Sequence, residues 1–350
     1  MIKVLVVDDS AFMRSAISRI LEKDNEIHVI GTAKNGREAI EKVDTLKPDV
    51  VTLDIEMPVM NGIEALKQII DKHKIPVIMF SALTKEGAEI TMEALEIGAS
   101  DFITKDFSNI SLNISNKENE LINKIKCVAK SKITVLLKSL KNLQKNTGNH
   151  IIKEIDKTNL VSKPKILAIG ASTGGPPAIQ NILTKFSKNF PVPIIIAQHM
   201  PKLFTEFFAQ RLNSVCKIEV KEAENGETLR PGIAFVAPGN AHMGIKRISN
   251  DVVVELSNDK KYSFRPSVDL LMGSVAHIYG SHSLCIILTG MGNDGLAGIR
   301  EVKSKNGYVI AQNEETSVIY GMPKAIINAN MANAVLPINF IQEKVIKLLS

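Results

Sequence analysis

Lys165-Ile166-Leu167-Ala168-Ile169-Gly170-Ala171-Ser172-Thr173-Gly174-Gly175-Pro176-Pro177 is an apolar run that ends in a turn of small residues around a single serine. Ile166 to Ile169 read as a buried strand and the glycines permit a sharp reversal. From Ala178 onward, Ile179, Ile182, Leu183 and Phe186 recur at helical spacing. Ser172 is therefore expected where a strand hands over to a helix N-terminus. Unpaired backbone N–H groups gather there and suit an oxyanion or a phosphate beside the hydroxyl. Alone, the turn has three readings: the G-x-S-x-G nucleophile elbow through Gly170, Ser172 and Gly174, a degenerate dinucleotide loop, or a serine capping a helix.

The residues that follow choose among them. Pro193 to Ala197 form a second apolar strand that runs into Gln198-His199-Met200-Pro201, and Leu284 to Leu288 form a third that runs into the Thr289–Gly295 turn carrying Asp294. If these strands are parallel, a hydroxyl, an imidazole and a carboxylate meet at one carboxyl edge of a doubly wound, mainly parallel α/β domain. Nucleophilic acyl transfer needs that set: Ser172 attacks, His199 takes its proton, and Asp294 holds the other ring nitrogen. The order Ser, His, Asp departs from the Ser, Asp, His order of α/β-hydrolases, so the elbow spacing does not place the domain in that fold. The loop lacks G-x-G-x-x-G, and the second strand ends in Gln198-His199 rather than in an acid for a ribose, which argues against a dinucleotide.

Backbone N–H groups near Thr173 and Met291, both in tight turns, are the oxyanion candidates. Arg265, in Arg265-Pro266-Ser267-Val268-Asp269, either aims a guanidinium at an anionic substrate or belongs to a helix start. His242, in a loop, His277 and His282 read as structural or peripheral.

Residues 1–130 alternate strand and helix signals, with strands expected at 2–7, 27–33, 49–53, 76–80 and 101–103 and helices at 11–23, 35–46, 63–72 and 84–97. The implied fold is flavodoxin-like, a five-stranded parallel sheet with helices on both faces. Asp8 and Asp9 follow the first strand, Asp54 the third, Ser81 the fourth and Lys105 the fifth. Three carboxylates converging on one edge repel each other unless a cation neutralises them, and all-oxygen ligation suits Mg²⁺. Asp54 can then attack a phosphoryl group whose oxygens pair with Lys105 and with the Ser81 hydroxyl.

This constellation, carried by Val6-Val7-Asp8-Asp9-Ser10, by residues 53–62 and by the stretches at 80–82 and 103–106, resembles the phosphoacceptor receiver family of two-component signalling. The resemblance implies phosphorylation of Asp54 by a histidine kinase, and a switch in which Phe102 follows the movement of Ser81. Asp106 stands where receivers usually have proline. A receiver followed by GASTGG, QHMP, RPSVD and LTGMGNDG resembles the chemotaxis response-regulator methylesterase family along essentially the whole chain. That implies hydrolysis of glutamate methyl esters on chemoreceptors, deamidation of receptor glutamines, and Ser172, His199 and Asp294 as the triad with Thr173 and Met291 beside the oxyanion. No cofactor is implied for the ester chemistry. The alternatives are a response regulator whose output domain only binds, and a serine amidase with another substrate.

Residues 131–163 are expected to be a lysine-rich, partly helical linker, with the catalytic domain at 164–350. Between Lys117 and Lys165, twelve lysines face four acids, so the formal net charge of +6 is concentrated there. Apolar positions at helical spacing between these lysines make a solvated helical face the expected meaning, and the lack of aromatics from Phe107 to Phe186 removes any stacking platform for nucleic acid. The three cysteines are widely spaced and read as small buried hydrophobes. With no secretory signal and no apolar run long enough to span a bilayer, the expected location is the cytoplasm, without membrane insertion.

Overall fold

Short apolar runs separated by amphipathic segments bury both faces of a sheet only if the helices cross over it, which makes neighbouring strands parallel. The computed structural model describes residues 1–105, 114–130 and 160–350. They divide into two compact units, within Met1–Lys141 and Asn142–Ser350. Asp106 and most of the expected linker lie outside the described residues.

In the first unit, β1 (Ile2–Val7), β2 (Ile27–Ala33), β3 (Val50–Asp54), β4 (Val77–Ser81) and β5 (Asp101–Thr104) alternate with α1 (Ala11–Leu21), α2 (Gly36–Leu46), α3 (Gly62–His73), α4 (Lys85–Ile97) and α5 (Ile114–Lys130). The sheet is parallel, in the order β2-β1-β3-β4-β5. Every residue of β3 and β4 is buried, as a sheet covered on both faces requires. Side chains start the helices: Ser10 accepts from the Met13 N–H, and Asn61 and Glu64 form a reciprocal capping box.

The basic segment is not wholly solvated where it is described. Lys124 has a side chain only 14% exposed, pairs with Asp101 at 3.1 Å, and donates to the Phe102 carbonyl at 2.8 Å. Lys126 pairs with Asp24 at 2.6 Å and with Glu26 at 2.9 Å. These lysines fasten α5 to the start of β5 and to the α1–β2 turn, whose carboxylates the reading of the segment by itself did not include.

The second unit runs β6 (Ile166–Ala171), α6 (Gly175–Leu183), β7 (Ile194–Gln198), α7 (Lys202–Val215), β8 (Glu219–Glu222), β9 (Ile233–Val236), β10 (His242–Ile248), β11 (Asp251–Ser257), α8 (Val268–Tyr279), β12 (Ser283–Ile287), α9 (Leu296–Ser304), β13 (Tyr308–Gln312), α10 (Met322–Asn328), β14 (Ala334–Leu336) and α11 (Ile338–Leu349). Seven parallel strands lie in the order β14-β13-β12-β6-β7-β9-β8, and β10 and β11 form a separate antiparallel hairpin. From β6 the chain passes to β7, then to the edge strand β8, steps back to β9 between those two, and returns to the other flank of β6 as β12. The direction of winding reverses between β6 and β12, and a crevice opens beyond the carboxyl ends of strands at such a reversal.

The core of this unit joins the sheet residues Ile166, Ala168, Ile195, Cys285 and Ile287 to Leu271, Met272 and Val275 of α8 and to Met243 and Val254 of the hairpin. Each fully buried aliphatic side chain contributes about 1.5–3 kcal/mol, which anchors α8 against the central strands. Cys285 is fully buried and its burial pushes the thiol up, while burial pushes the Cys216 thiol up to about 11. Both behave as small hydrophobes.

Candidate active site

Strand pairing decides which side chains meet. Ala171 of β6 is opposite Gln198 of β7, so Ser172 and His199, one residue further on, leave adjacent strands side by side, and the His199 N–H donates to the Ala171 carbonyl at 3.2 Å. On the other flank Gly170 is opposite Ile287 of β12, and the Ser172 N–H donates to the Thr289 carbonyl at 3.1 Å. Beyond that turn Asp294 comes back across the edge, and its Oδ2 lies 2.7 Å from His199 Nε2. All three predicted residues thus stand at one rim, at the reversal of winding. Asp294 occupies Nε2, leaving Nδ1 as the imidazole nitrogen for a proton from a hydroxyl. Among the described residues the Ser172 hydroxyl itself makes no hydrogen bond to His199.

The helix-cap reading of Ser172 does not hold. The N-cap of α6 is Gly174, at φ +75°, with no side-chain cap, and Pro176 supplies the preorganised first turn. Gly174 needs to be glycine, because its φ is left-handed and a Cβ would lie 2.5 Å from that of Val318. Gly290 permits the closest approach of the third strand end: a Cβ there would lie 2.8 Å from the Cβ of Ser172.

Asp294 is only 7% exposed, yet it is well supplied with donors. Its Oδ2 accepts from the Val268 N–H at 2.8 Å, and its Oδ1 accepts from the Asp269 N–H at 2.9 Å, the Gly295 N–H at 3.0 Å and the Ser267 hydroxyl at 3.3 Å. The carboxylate therefore sits on the N-terminus of α8, where orphan N–H groups and the helix dipole favour negative charge. Burial works to raise its pKa, but the bond from His199, the charge of that ring and the backbone N–H groups outweigh it and hold the carboxyl below the ordinary value. Asp269 shifts the opposite way, raised by burial foremost and also by the charge of Asp294.

The contacts of three supporting residues escaped the sequence reading. Gln198, 2% exposed, donates from Nε2 to the Ser172 carbonyl at 2.9 Å and to the His199 carbonyl at 3.2 Å, so one amide grips both segments. Its only sequence signal is a polar residue closing an apolar strand. Of the two readings of His242, structural or peripheral, the structural one holds, though it opens β10 rather than lying in a loop: it is fully buried, with Nδ1 accepting from the Ser267 N–H at 3.2 Å and Nε2 donating to the Asp259 carbonyl at 2.9 Å. Burial foremost, with the nearby Arg265 charge, lowers its pKa. Phe264 stacks on the imidazole of His199. Arg265 is exposed beside Phe264, Met291 is half-buried, and Thr173 is buried with its carbonyl accepting from the Thr289 hydroxyl at 2.9 Å. Among the described residues the Met291 N–H meets no acceptor.

In the other unit, ligand oxygens of Asp8, Asp9 and Asp54 all lie within 4.8 Å of one another. Lys105 Nζ is 2.6 Å from Asp54 and 2.9 Å from Asp8, so one ammonium faces two buried carboxylates. Such a set fits a hard divalent cation. Burial above all, with the charge of Asp8, pushes the Asp54 carboxyl up to about 6 against the pull of Lys105. Burial disfavours the Lys105 ammonium, but its bonds to Asp54 and Asp8 hold its pKa above the ordinary value. The Ser81 hydroxyl donates to the Gly87 carbonyl at 3.0 Å and pairs with Thr91 at 2.8 Å, so it is engaged with the start of α4. Phe102 is 6% exposed, under the Lys124 ammonium.

Comparison with known proteins agrees with both halves. The family model for CheB methylesterase matches residues 167–345, and that for the response regulator receiver domain matches residues 4–115. A protein-glutamate methylesterase/protein-glutamine glutaminase of Lawsonia intracellularis is 47% identical over 99% of this chain and 98% of its own length. One of Thermotoga maritima is 46% identical over 99% of this chain and 98% of its own length. The crystal structure of the Thermotoga maritima CheB methylesterase catalytic domain aligns with a TM-score of 0.52 at 45% identity, covering 53% of this chain and 100% of that one.

The class is a response regulator with an enzymatic output domain: a parallel-sheet receiver followed by a parallel-sheet esterase. Within that class, the chain belongs to the CheB family of protein-glutamate methylesterases/protein-glutamine glutaminases.

Proposed function

We propose that this protein removes methyl groups from glutamate methyl esters on chemoreceptors, and deamidates receptor glutamines, with Ser172, His199 and Asp294 as the reacting triad. The observation that carries this reading is the 2.7 Å contact between His199 and Asp294 on the strand end next to Ser172.

In this mechanism Ser172 Oγ attacks the γ-carbonyl carbon while its proton passes to His199 Nδ1, and Asp294 stabilises the imidazolium through Nε2. The tetrahedral oxyanion is held by backbone N–H groups at Thr173 and Met291. Its collapse breaks the C–O bond to the methoxy group, which takes the proton from Nδ1 and leaves as methanol. Water then attacks the glutamyl ester of Ser172, giving its proton to Nδ1, which returns it to the serine. With a glutamine the leaving group is ammonia. Arg265, exposed beside the site, faces the acidic surface that a glutamate-bearing receptor presents.

The receiver half supplies control. A histidine kinase of the chemotaxis system donates the phosphoryl group to Asp54; Asp8, Asp9 and Asp54 would hold Mg²⁺, which would supply neutralising charge for the transferred group. Lys105 then pairs with the phosphoryl oxygens. Ser81 gives up its bond to Gly87 to reach them, and Phe102 follows. The unphosphorylated receiver restrains the output domain, and phosphorylation relieves it. The reaction takes place in the cytoplasm; among the described residues no helix is long and apolar enough to cross a membrane.

Methanol release from methylated receptor membranes tests the chemistry. Wild-type protein is expected to release methanol, faster with a small phosphodonor, and Ser172→Ala to release none while remaining folded. Undiminished release by Ser172→Ala rejects the assignment.

A further inference from the structure

Phe264 is 39% exposed and belongs to no helix or strand, yet its ring lies flat against the imidazole of His199, with centroids 4.6 Å apart and planes within 9°. A single hydrogen bond from Nε2 to Asp294 fixes one point of the imidazole but not its plane. The ring can still swing about that bond, and Nδ1 swings with it. An aromatic ring stacked on one face removes this freedom through dispersion and quadrupole contact.

The backbone around Phe264 is built to keep it there. Buried His242 clasps both ends of the segment, donating to the Asp259 carbonyl at 2.9 Å and accepting from the Ser267 N–H at 3.2 Å. Tyr262 packs on the same imidazole, with centroids 5.4 Å apart. The segment then ends in Ser267, Val268 and Asp269, whose donors hold Asp294. One stretch of chain thus restrains His199 twice, within the ring plane through Asp294 and across it through Phe264.

We propose that Phe264 is a positioning residue for the ester chemistry, setting the plane of the His199 ring so that Nδ1 is directed at the Ser172 hydroxyl. The inference rests on the serine-hydrolase reading above. It assigns Phe264 an effect on the chemical step rather than on receptor affinity, because what it touches is the base.

The test compares full-length wild type, Phe264→Leu and Phe264→Tyr on methylated receptor membranes and on a short soluble peptide carrying a glutamate methyl ester. Phe264→Leu is expected to lower kcat roughly ten- to a hundredfold on both substrates, the cost of a slightly misdirected base. KM for the peptide should stay within about twofold, and Phe264→Tyr should restore most of kcat. Because the side chain is partly exposed, thermal unfolding should be nearly unchanged in both variants. Wild-type kcat in Phe264→Leu overturns the inference, as does a loss confined to KM on the receptor, which would mark a docking contact. If wild type releases no methanol, or Ser172→Ala releases as much, the underlying reading fails. An active wild type and an inert Ser172→Ala beside an unaffected Phe264→Leu reject the positioning role alone.

Discussion

Asp294 is asked to serve two sites at once, the imidazole of His199 and the open end of α8, and that double duty fixes what its replacement does. Asn at 294 keeps the shape but carries an amide NH₂ into a pocket of N–H donors, so Asp294→Asn should cost about 1–3 kcal/mol of stability in denaturant titration. It should also lower kcat about a thousandfold or more, since a neutral amide neither stabilises the imidazolium nor selects its tautomer. The folded-state pKa of this carboxyl lies below its ordinary value, so its contribution is complete above pH 3.8 and disappears as pH falls further. The stability gap between variant and wild type should therefore narrow in acid. His242 gives the complementary case. Its pKa is lowered from 6.5, so the unfolded chain takes up a proton there that the folded one refuses, and the stability it lends is complete above pH 6.5 and lost below it. His242→Phe, which keeps the volume but strands the Ser267 N–H and the Asp259 carbonyl, should be about 1–3 kcal/mol less stable near neutrality. Unfolding titrations at descending pH should show that deficit shrinking; a constant deficit would mean that His242 does not stay neutral in the folded chain.

At the scale of elements, the site depends on how closely the ends of β6, β7 and β12 approach one another. Gly290→Ala places a Cβ 2.8 Å from that of Ser172 and 2.3 Å from Met322 Sδ. The methionine can swing away, whereas the serine turn is tied to Thr289 and Gln198 and must shift. Gly290→Ala is therefore expected to lose at least about tenfold in kcat while thermal unfolding drops only modestly, because misplacement by a fraction of an ångström costs rate before it costs packing. Comparable losses in both would show that the turn yields as a whole. The strands of this site were legible because each is an apolar run that stops at a chemistry-bearing residue: Ile194–Gln198 before His199, Ser283–Ile287 before the Asp294 turn. The receiver strands were legible to within one residue for the same reason. β8 and β9, four residues each, and β14, three residues, carry too little periodicity to stand out. The roles of Gln198, His242 and Phe264 were not legible at all, since each acts through a contact across 25 or more residues or through a loop with no period of its own. His242 follows Pro238-Gly239-Asn240 and so reads as a loop residue, yet it opens β10, and nothing in that stretch tells a histidine that faces solvent from one that closes a segment over the core.

For the whole molecule, the two compact units place an unfavourable charge arrangement in one half of a chain whose chemistry is assigned to the other. Asp54 is raised to about 6 chiefly by burial, with Asp8 adding repulsion, so the folded chain without metal holds a proton that the unfolded chain gives up near pH 3.8. Stability contributed by this group therefore falls as pH rises from about 4 to about 6, by at most about 3 kcal/mol for a shift of this size. Asp54→Asn removes the charge, and in chelator at pH 8 its receiver transition should lie above that of wild type by up to that amount. Near pH 4 the difference should vanish. Mg²⁺ should close most of that gap: at a hundredfold excess over its dissociation constant it adds about 2.7 kcal/mol to wild type and far less to the variant, which lacks a ligand carboxylate. Calorimetry of the full chain at both pH values, with and without Mg²⁺, reads all four states. Equal stabilisation of the two proteins by Mg²⁺ would remove Asp54 from the metal site, and an unchanged pH 8 transition in Asp54→Asn would mean that Lys105 already balances the buried carboxylate. A phosphodonor that accelerates methanol release in wild type but not in Asp54→Asn would join this charge balance to the esterase half, because the variant differs from wild type at a single oxygen-bearing group in the receiver.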